Sequence, residues 1–89
     1  MAKQQRMYSI KDVKSVSFHN PFPAENTIIA MRETQSYVNN QKSMISDYPE
    51  DFQLWYVGTF DNETGRYIPD EPSFVIEISS LKKEQKSAS

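Results

Sequence analysis

The feature that most constrains the fold is residues 52–60, which run Phe-Gln-Leu-Trp-Tyr-Val-Gly-Thr-Phe. Aromatic and β-branched residues dominate this run, and such residues favour β-strands. Residues 61–65 follow as Asp-Asn-Glu-Thr-Gly, and Gly65 can adopt positive φ at no steric cost, which is typical of a turn. Residues 66–68 then return as a second strand, so the segment predicts an antiparallel β-hairpin.

Upstream of this hairpin the pattern predicts a strand, a loop and a helix. Residues 6–13 alternate between apolar and polar side chains, as a half-buried strand does. Residues 15–23 contain two close prolines, which predict a stiff loop without regular structure. Residues 27–39 lack Gly and Pro and follow the capping residue Asn26, so we expect a helix. Residues 43–48 add a short helical turn.

Downstream of the hairpin, two prolines divide the chain. Pro69 is expected to end the second hairpin strand, and Pro72 is expected to precede a last strand at 74–78. Three apolar residues are expected to face one way in that strand: Phe74, Ile76 and Ile78. The predicted fold class is therefore α+β, with one main helix packed on an antiparallel sheet of about four strands in the order β-α-β-β-β.

A chain of 89 residues has room for one domain with a thin core. We expect a flexible N-terminus at 1–5, a single α+β domain at 6–80 and a disordered polar tail at 81–89. The chain has no cysteine, which excludes disulfides and fits a reducing compartment. No run is apolar enough for a signal peptide or a membrane span, so we expect a soluble cytoplasmic protein without a membrane partner.

The sequence lacks the residue patterns that catalysis, metal binding and cofactor binding require. His19 is the only histidine and lies in the proline-containing loop, where no catalytic partner is indicated. One histidine and scattered carboxylates give no recognisable metal-ligand spacing. Two glycines cannot form a glycine-rich phosphate loop. We therefore expect a protein that is not an enzyme and binds no cofactor and no metal.

Charge is distributed unevenly along the chain, although the net charge is only -2. Residues 1–20 carry four basic residues against one acid, and residues 47–77 carry eight acids against one base. A polarised molecule can bind an anion with one face, or pack its unlike faces between subunits, and both interpretations remain open. Arg6, Lys11 and Lys14 would supply phosphate contacts or form a charged, aggregation-resistant strand edge.

The chain is rich in aromatic residues, and the faces on which they lie bear on function. In the strand at 52–60, Phe52 and Leu54 are expected to face the helix, which leaves Trp55 and Val57 outside. An exposed tryptophan beside a valine is typical of an interface. Three interpretations are open: homodimerisation through Trp55 and Val57, stacking of unpaired bases, and burial of Trp55 under the loop Pro21-Phe22-Pro23.

The sequence also resembles a known phage family over roughly residues 8–68. The motifs that carry the resemblance are Tyr8, Ile10, Asp12-Val13-Lys14, Phe18, Pro21-Phe22, Ala30, Arg32, Val38-Asn39, Pro49-Glu50-Asp51-Phe52-x-Leu54, Gly58-x-Phe60-Asp61 and Thr64-Gly65. This pattern resembles the small non-structural protein of gokushovirus-type Microviridae, phages with single-stranded DNA genomes. The resemblance implies a viral protein of the host cytoplasm, absent from the finished capsid, that binds DNA or takes part in genome synthesis and packaging.

Two functional hypotheses follow. In the first, a homodimer binds single-stranded DNA through four residues: Arg6, Lys11, Lys14 and Trp55. In the second, the protein is an adaptor whose acidic hairpin contacts a phage replication or capsid-assembly protein or a host factor. The acids of that hairpin are Asp61, Glu63, Asp70 and Glu71.

Overall fold

The computed structural model of the chain describes residues 4–82. The strands and helices are β1 (Gln4–Asp12), β2 (Ser17–Phe18), β3 (Phe22–Ala24), α1 (Thr27–Asn40), α2 (Met44–Asp47), β4 (Phe52–Asp61) and β5 (Arg66–Glu77). Single 3₁₀ turns at Pro49–Asp51 and Ile78–Ser80 precede β4 and follow β5. The expected flexibility of residues 1–3 and disorder of residues 83–89 lie outside the described residues.

All the strands belong to one antiparallel sheet with the order β2-β1-β4-β5, and β3 pairs with β1 beside β2. Strands account for 46% of the described residues and helical segments for 30%, and the sheet curls into a half-barrel accompanied by one main helix. The fold is therefore mostly β. The predicted α+β fold, with a helix packed on about four strands, is wrong.

The strand residues that the sequence did not predict lie in segments that contain prolines. Residues 15–23, expected to be a loop, contain β2 and β3, and Pro23 pairs with Met7. Pro69 and Pro72, expected to separate two strands, lie inside the single twelve-residue strand β5. Both β3 and β5 are edge strands in the described part of the chain, and an edge strand tolerates proline because one row of its amides needs no partner.

Helix α1 begins where the sequence predicts. The side chain of Asn26 accepts a hydrogen bond of 2.9 Å from the amide of Ile29, which confirms the predicted N-cap. Its buried face consists of Ala30, Thr34 and Val38. This face is narrow, and Tyr37, next to Val38, remains 41% exposed.

The core lies between α1 and one face of the sheet, called here the helix-side face. Nine buried residues form it: Tyr8, Ala24, Ala30, Val38, Ile45, Phe52, Leu54, Ile78 and Leu81. Leu81, expected in the disordered tail, is therefore part of the core, and β1 begins two residues before the predicted domain start. Successive residues of a strand alternate between faces, so Lys11 and Trp55 lie on the opposite side, called here the open face.

Candidate nucleic-acid interface

Three aromatic rings form a row across the open face, and we call Phe18, Trp55 and Phe74 the aromatic ladder. The ring centroids of Phe18 and Trp55 are 5.7 Å apart, and those of Trp55 and Phe74 are 5.9 Å apart. Both pairs are nearly perpendicular, an edge-to-face geometry that stabilises aromatic pairs by roughly 0.5–1.5 kcal/mol. Phe18 is 44% exposed and Phe74 is 49% exposed, so the row is accessible to a ligand.

Phe74 reaches this face because of an irregularity in β5. Leu54 pairs with Ile76, but the next residue, Trp55, pairs with Phe74, so Val75 is an extra residue in β5. An extra residue of this kind is a β-bulge, and it reverses the alternation beyond it. The prediction that Phe74, Ile76 and Ile78 share one face is therefore wrong, and Phe74 lies beside Trp55 instead.

Phe18 is a site residue that sequence reasoning does not find, because its segment reads as a loop. It pairs with Lys11 across the turn that joins β1 to β2. The carboxylate of Asp12 accepts hydrogen bonds from the amides of Lys14 at 2.9 Å and Ser15 at 3.2 Å. Val16 adopts a positive φ of 55° and closes the turn. The available signal was the turn chemistry of Asp12, which is typical of a tight reversal between paired strands.

The central ring of the ladder is held in one orientation. The indole Nε1 of Trp55 donates to the side-chain oxygen of Gln53 at 3.0 Å. The Nε2 of Gln53 donates in turn to the carboxylate of Glu77 at 3.0 Å. Because the ring is oriented before any ligand arrives, binding to it costs less side-chain entropy.

Lys11 is the cation that lies over the ladder. Its ammonium is 4.9 Å from the ring centroid of Trp55 and 5.5 Å from that of Phe18. Such contacts contribute about 0.5–1 kcal/mol at exposed sites. The structure thus brings together two of the four residues that the sequence indicated for DNA contact.

Arg6 lies on the helix-side face instead. Its Nε donates to the hydroxyl of Tyr8 at 2.8 Å, and that hydroxyl shares a hydrogen bond of 2.8 Å with Thr27 at the start of α1. The hydrogen bond to Tyr8 is the main reason that the pKa of Arg6 is raised. Its guanidinium also stacks 4.3 Å from the ring centroid of Tyr56, whose pKa is raised by burial and by its hydrogen bond to Asp70.

Lys14 lies away from the ladder, and Val57 lies at a bulge in β4. Lys14 belongs to the β1–β2 turn and lines a cleft with Met44 and Tyr48. Val57 is the extra residue of a bulge in β4, because Met7 pairs with Gly58 and Tyr8 pairs with Tyr56. The alternation that would place Val57 beside Trp55 is interrupted at this bulge.

The interpretation that buries Trp55 under the proline loop is wrong. Phe22 of that loop packs on the other face, with its ring centroid 6.3 Å from that of Tyr8. Among residues 4–82, no group of three or more His, Cys, Asp and Glu side chains is close enough to hold a metal ion. Within the same range, no helix has both the length and the apolar character required to cross a membrane.

Comparison with known proteins identifies the family. The model of the phage ORF5 protein family matches residues 5–81. The chain belongs to the phage ORF5 family. The match includes every strand of the sheet apart from the first residue of β1, and therefore contains the whole aromatic ladder.

A curated relative of this ORF5-family chain is Protein ORF5 of Chlamydia phage 1. The two are 34% identical over 77 residues, which cover 82% of this chain and 80% of the relative. The resemblance to a protein of the gokushovirus-type Microviridae, inferred from the sequence, is therefore confirmed. No solved structure matches the chain.

Proposed function

We propose that this ORF5-family protein is a non-enzymatic accessory protein that binds single-stranded DNA in the host cytoplasm during phage genome replication or packaging. The observation that carries the proposal is the aromatic ladder. Three rings, two of them close to half exposed, stand in a row on a sheet face that α1 does not cover. Exposed rings on a sheet offer stacking surfaces for unpaired bases.

The geometry favours a single strand over a duplex. Stacking on Phe18, Trp55 or Phe74 requires access to the flat face of a base, and a base in a duplex already stacks on its neighbours. Each base stacked on an aromatic side chain contributes roughly 1–3 kcal/mol, and this contribution depends little on base identity. We therefore expect a duplex of the same sequence to compete poorly.

Electrostatics supports the same binding mode with a small contribution. The ammonium of Lys11 lies over Trp55, and it would contact a phosphate of a strand that crosses the ladder. A single-strand phosphate contact makes log K fall with log salt by about 0.7. Glu77 also faces this side of the sheet, through its pairing with Gln53, so we expect a shallow salt dependence dominated by stacking.

The test is fluorescence anisotropy of a labelled single-stranded oligonucleotide at two salt concentrations, with the matched duplex as competitor. We expect Trp55→Ala to weaken binding roughly 5- to 150-fold, the equivalent of one lost stacking contact. Tyr48→Ala is the matched control, because Tyr48 is 53% exposed but lies beside Lys14, away from the ladder. Equal affinity of the Trp55→Ala variant and the control would contradict the proposal.

A charge reversal separates the two lysines that the sequence grouped together. We expect Lys11→Glu to weaken DNA binding, because its ammonium lies over the ladder. Lys14→Glu makes the same change of charge in the β1–β2 turn and serves as the control. A larger loss in Lys14→Glu would move the binding surface to the cleft beside α2.

Homodimerisation uses the same surface in a different way. An exposed aromatic row also suits a second copy of the chain, which would enlarge the thin core of a small domain. Sedimentation equilibrium of the wild type and the Trp55→Ala variant separates the two arrangements. A dimer that dissociates on this substitution, with no DNA binding by the wild type, would assign the ladder to self-association.

We propose the adaptor as a second function, on a different observation. Tyr67 and Ile68 of β5 are 44% and 47% exposed, and Asp70 and Glu71 follow them on the same exposed strand. Apolar side chains beside carboxylates suit a basic phage or host partner. Asp61 is a poor choice for a test, because its carboxylate stabilises the turn by accepting hydrogen bonds from two backbone amides.

The adaptor is tested by co-purification from infected cells. We expect a double variant, Ile68→Ser with Glu71→Gln, to lose a basic partner that the wild type retains. Glu50→Gln is the control for charge, since Glu50 is exposed but lies outside the hairpin. Persistence of the complex in the double variant would exclude this surface.

A further inference from the structure

A cleft of about 290 Å³ lies on the helix-side face, between α1 and the edge formed by β2 and β3. Its apolar wall includes Ile10, Phe22 and Ile45. The rest of the lining contains residues with polar groups: His19, Asn20, Glu33, Thr34 and Tyr37. Small-molecule sites typically begin near ~300 Å³, so this volume suits one ring system rather than a length of chain.

The cleft begins where the aromatic ladder ends. His19 directly follows Phe18, and neighbouring Cα atoms are about 3.8 Å apart. The ring of Phe18 lies on the open face against Trp55, whereas the ring of His19 lies 6.0 Å from that of Phe52 in the core. One strand edge therefore separates the last ring of the ladder from the cleft.

The polar groups of the cleft are available to a ligand. Glu33 is exposed on α1, and an ionised carboxylate can only accept hydrogen bonds. Asn20, exposed after β2, can both donate and accept. The apolar wall offers a surface to the flat face of a ring, so the cleft combines stacking with recognition of a donor.

Nucleobases differ in the group that they would present to Glu33. Cytosine, adenine and guanine carry exocyclic amino donors, and Glu or Asp accepting from the cytosine N4 amino group is an established recognition pair. Thymine has a carbonyl oxygen at the corresponding position. A carbonyl oxygen facing the carboxylate would place two acceptors against each other, so this edge of thymine fits Glu33 less well than the amino group of cytosine does.

We propose that this cleft holds one unstacked nucleobase that carries an exocyclic amino group, at the end of the strand that crosses the ladder. The inference rests on the proposed single-strand binding. The ladder supplies affinity without regard to base identity, and the cleft adds a preference for amino-bearing bases at one position. Cytosine and thymine are a convenient pair to compare, because both are pyrimidines and only cytosine carries the amino group.

The experiment compares oligo-dC with oligo-dT of equal length at neutral pH by fluorescence anisotropy. We expect the wild type to bind oligo-dC about tenfold more tightly, within the range of one good base-edge contact. Glu33→Ala should abolish this preference, so that the variant binds oligo-dC and oligo-dT equally. Glu25→Ala is the matched control, since Glu25 is an exposed acid near the start of α1 that does not line the cleft.

The outcomes separate this inference from the proposed function. Equal binding of the two oligonucleotides by the wild type, or a preference that survives Glu33→Ala, would overturn the assignment of the cleft and leave ladder binding intact. Failure of both oligonucleotides to bind would overturn the proposed function. In that case, NMR titration with free deoxycytidine and thymidine decides for the cleft: amide shifts at His19 and Asn20 with deoxycytidine alone support it, and their absence overturns it.

Discussion

At the scale of single residues, two positions show how backbone geometry limits substitution. Gly58 lies in β4 opposite Pro69, and a Cβ added to it would lie 2.5 Å from the carbonyl oxygen of Ile68. Real Cβ atoms essentially never come so close to a backbone atom. Gly65 closes the hairpin turn with a φ of 78°, but a Cβ added there would have no neighbour within 4 Å.

We expect Gly58→Ala to be the more destabilising of the two glycine substitutions. The methyl group would push β5 away from β4, and overpacking of this kind costs about 1–3 kcal/mol. Gly65→Ala should cost about 1–2 kcal/mol, the usual penalty for a left-handed conformation. Urea denaturation of both variants measures the difference, and a milder effect at Gly58 would contradict the close strand approach.

Val16 is the opposite case, a position where a substitution should increase the stability of the fold. It is 74% exposed and holds a φ of 55°, which a β-branched side chain rarely adopts. Asparagine tolerates this conformation, so we expect Val16→Asn to raise the free energy of unfolding by about 1 kcal/mol. Thermal unfolding measures the change, and a lower midpoint in the variant would show that Val16 makes a contact that outweighs its strain.

At the scale of elements, local hydrogen bonds define where α1 begins and how β1 turns into β2. At the start of the helix the side chain of Asn26 acts as a cap and accepts a hydrogen bond from the amide of Ile29. We expect Asn26→Ala to lower the free energy of unfolding by about 1 kcal/mol. Asn40→Ala is the control, because the side chain of Asn40 makes a longer hydrogen bond of 3.2 Å to Ser36 at the exposed helix end. Equal effects of the two substitutions in urea denaturation would contradict the role of the cap.

The β1–β2 turn should be sensitive to acid. The amides of Ser15 and Lys14 donate to the carboxylate of Asp12 and lower its pKa below the ordinary value of 3.8. A lowered folded-state pKa means that the stabilisation is present above pH 3.8 and is lost as the pH falls through the folded-state value. We expect Asp12→Asn to reduce the acid dependence of stability below about pH 4. Unchanged pH profiles of unfolding in wild type and variant would exclude this contribution.

At the scale of the whole molecule, the sheet has a stable centre and exposed edges. β1 and β4 pair with each other along their lengths and have a second neighbour on their other sides, whereas β5 pairs only with β4 in the described chain. Pro69 and Pro72 remove two amides from β5, a common protection of edge strands against aggregation. The ladder crosses the open face, with Trp55 on the central strand β4 and with Phe18 and Phe74 on the edge strands β2 and β5.

Hydrogen exchange should reflect this arrangement. We expect the amides of Tyr8 and Leu54, both fully buried, to exchange slowest and to report global unfolding. The amide of Phe74 on β5 should exchange faster through local opening of the edge. Native-state exchange followed by NMR measures both, and similar protection of β4 and β5 would indicate a partner on the β5 edge.

The sequence by itself determined the features that depend on neighbours along the chain. The strand at residues 52–60, the turn at Gly65 and the cap at Asn26 were all predicted and all observed, as was the placement of Leu54 towards the helix. These features follow from side-chain periodicity and local hydrogen bonding, which are written in consecutive residues. The family was also identifiable, because motif spacing is a property of the sequence.

Only the tertiary structure decided the register between strands, and with it the composition of the ladder. The bulge at Val75 turns Phe74 to the open face, and the pairing of Phe18 with Lys11 brings a third ring to Trp55. Strand pairing also overrode the prolines, because their missing amides cost nothing on an unpaired edge. Bulges and edges are defined by the partner strand, and the partner is distant in the sequence, so local patterns carry no record of them.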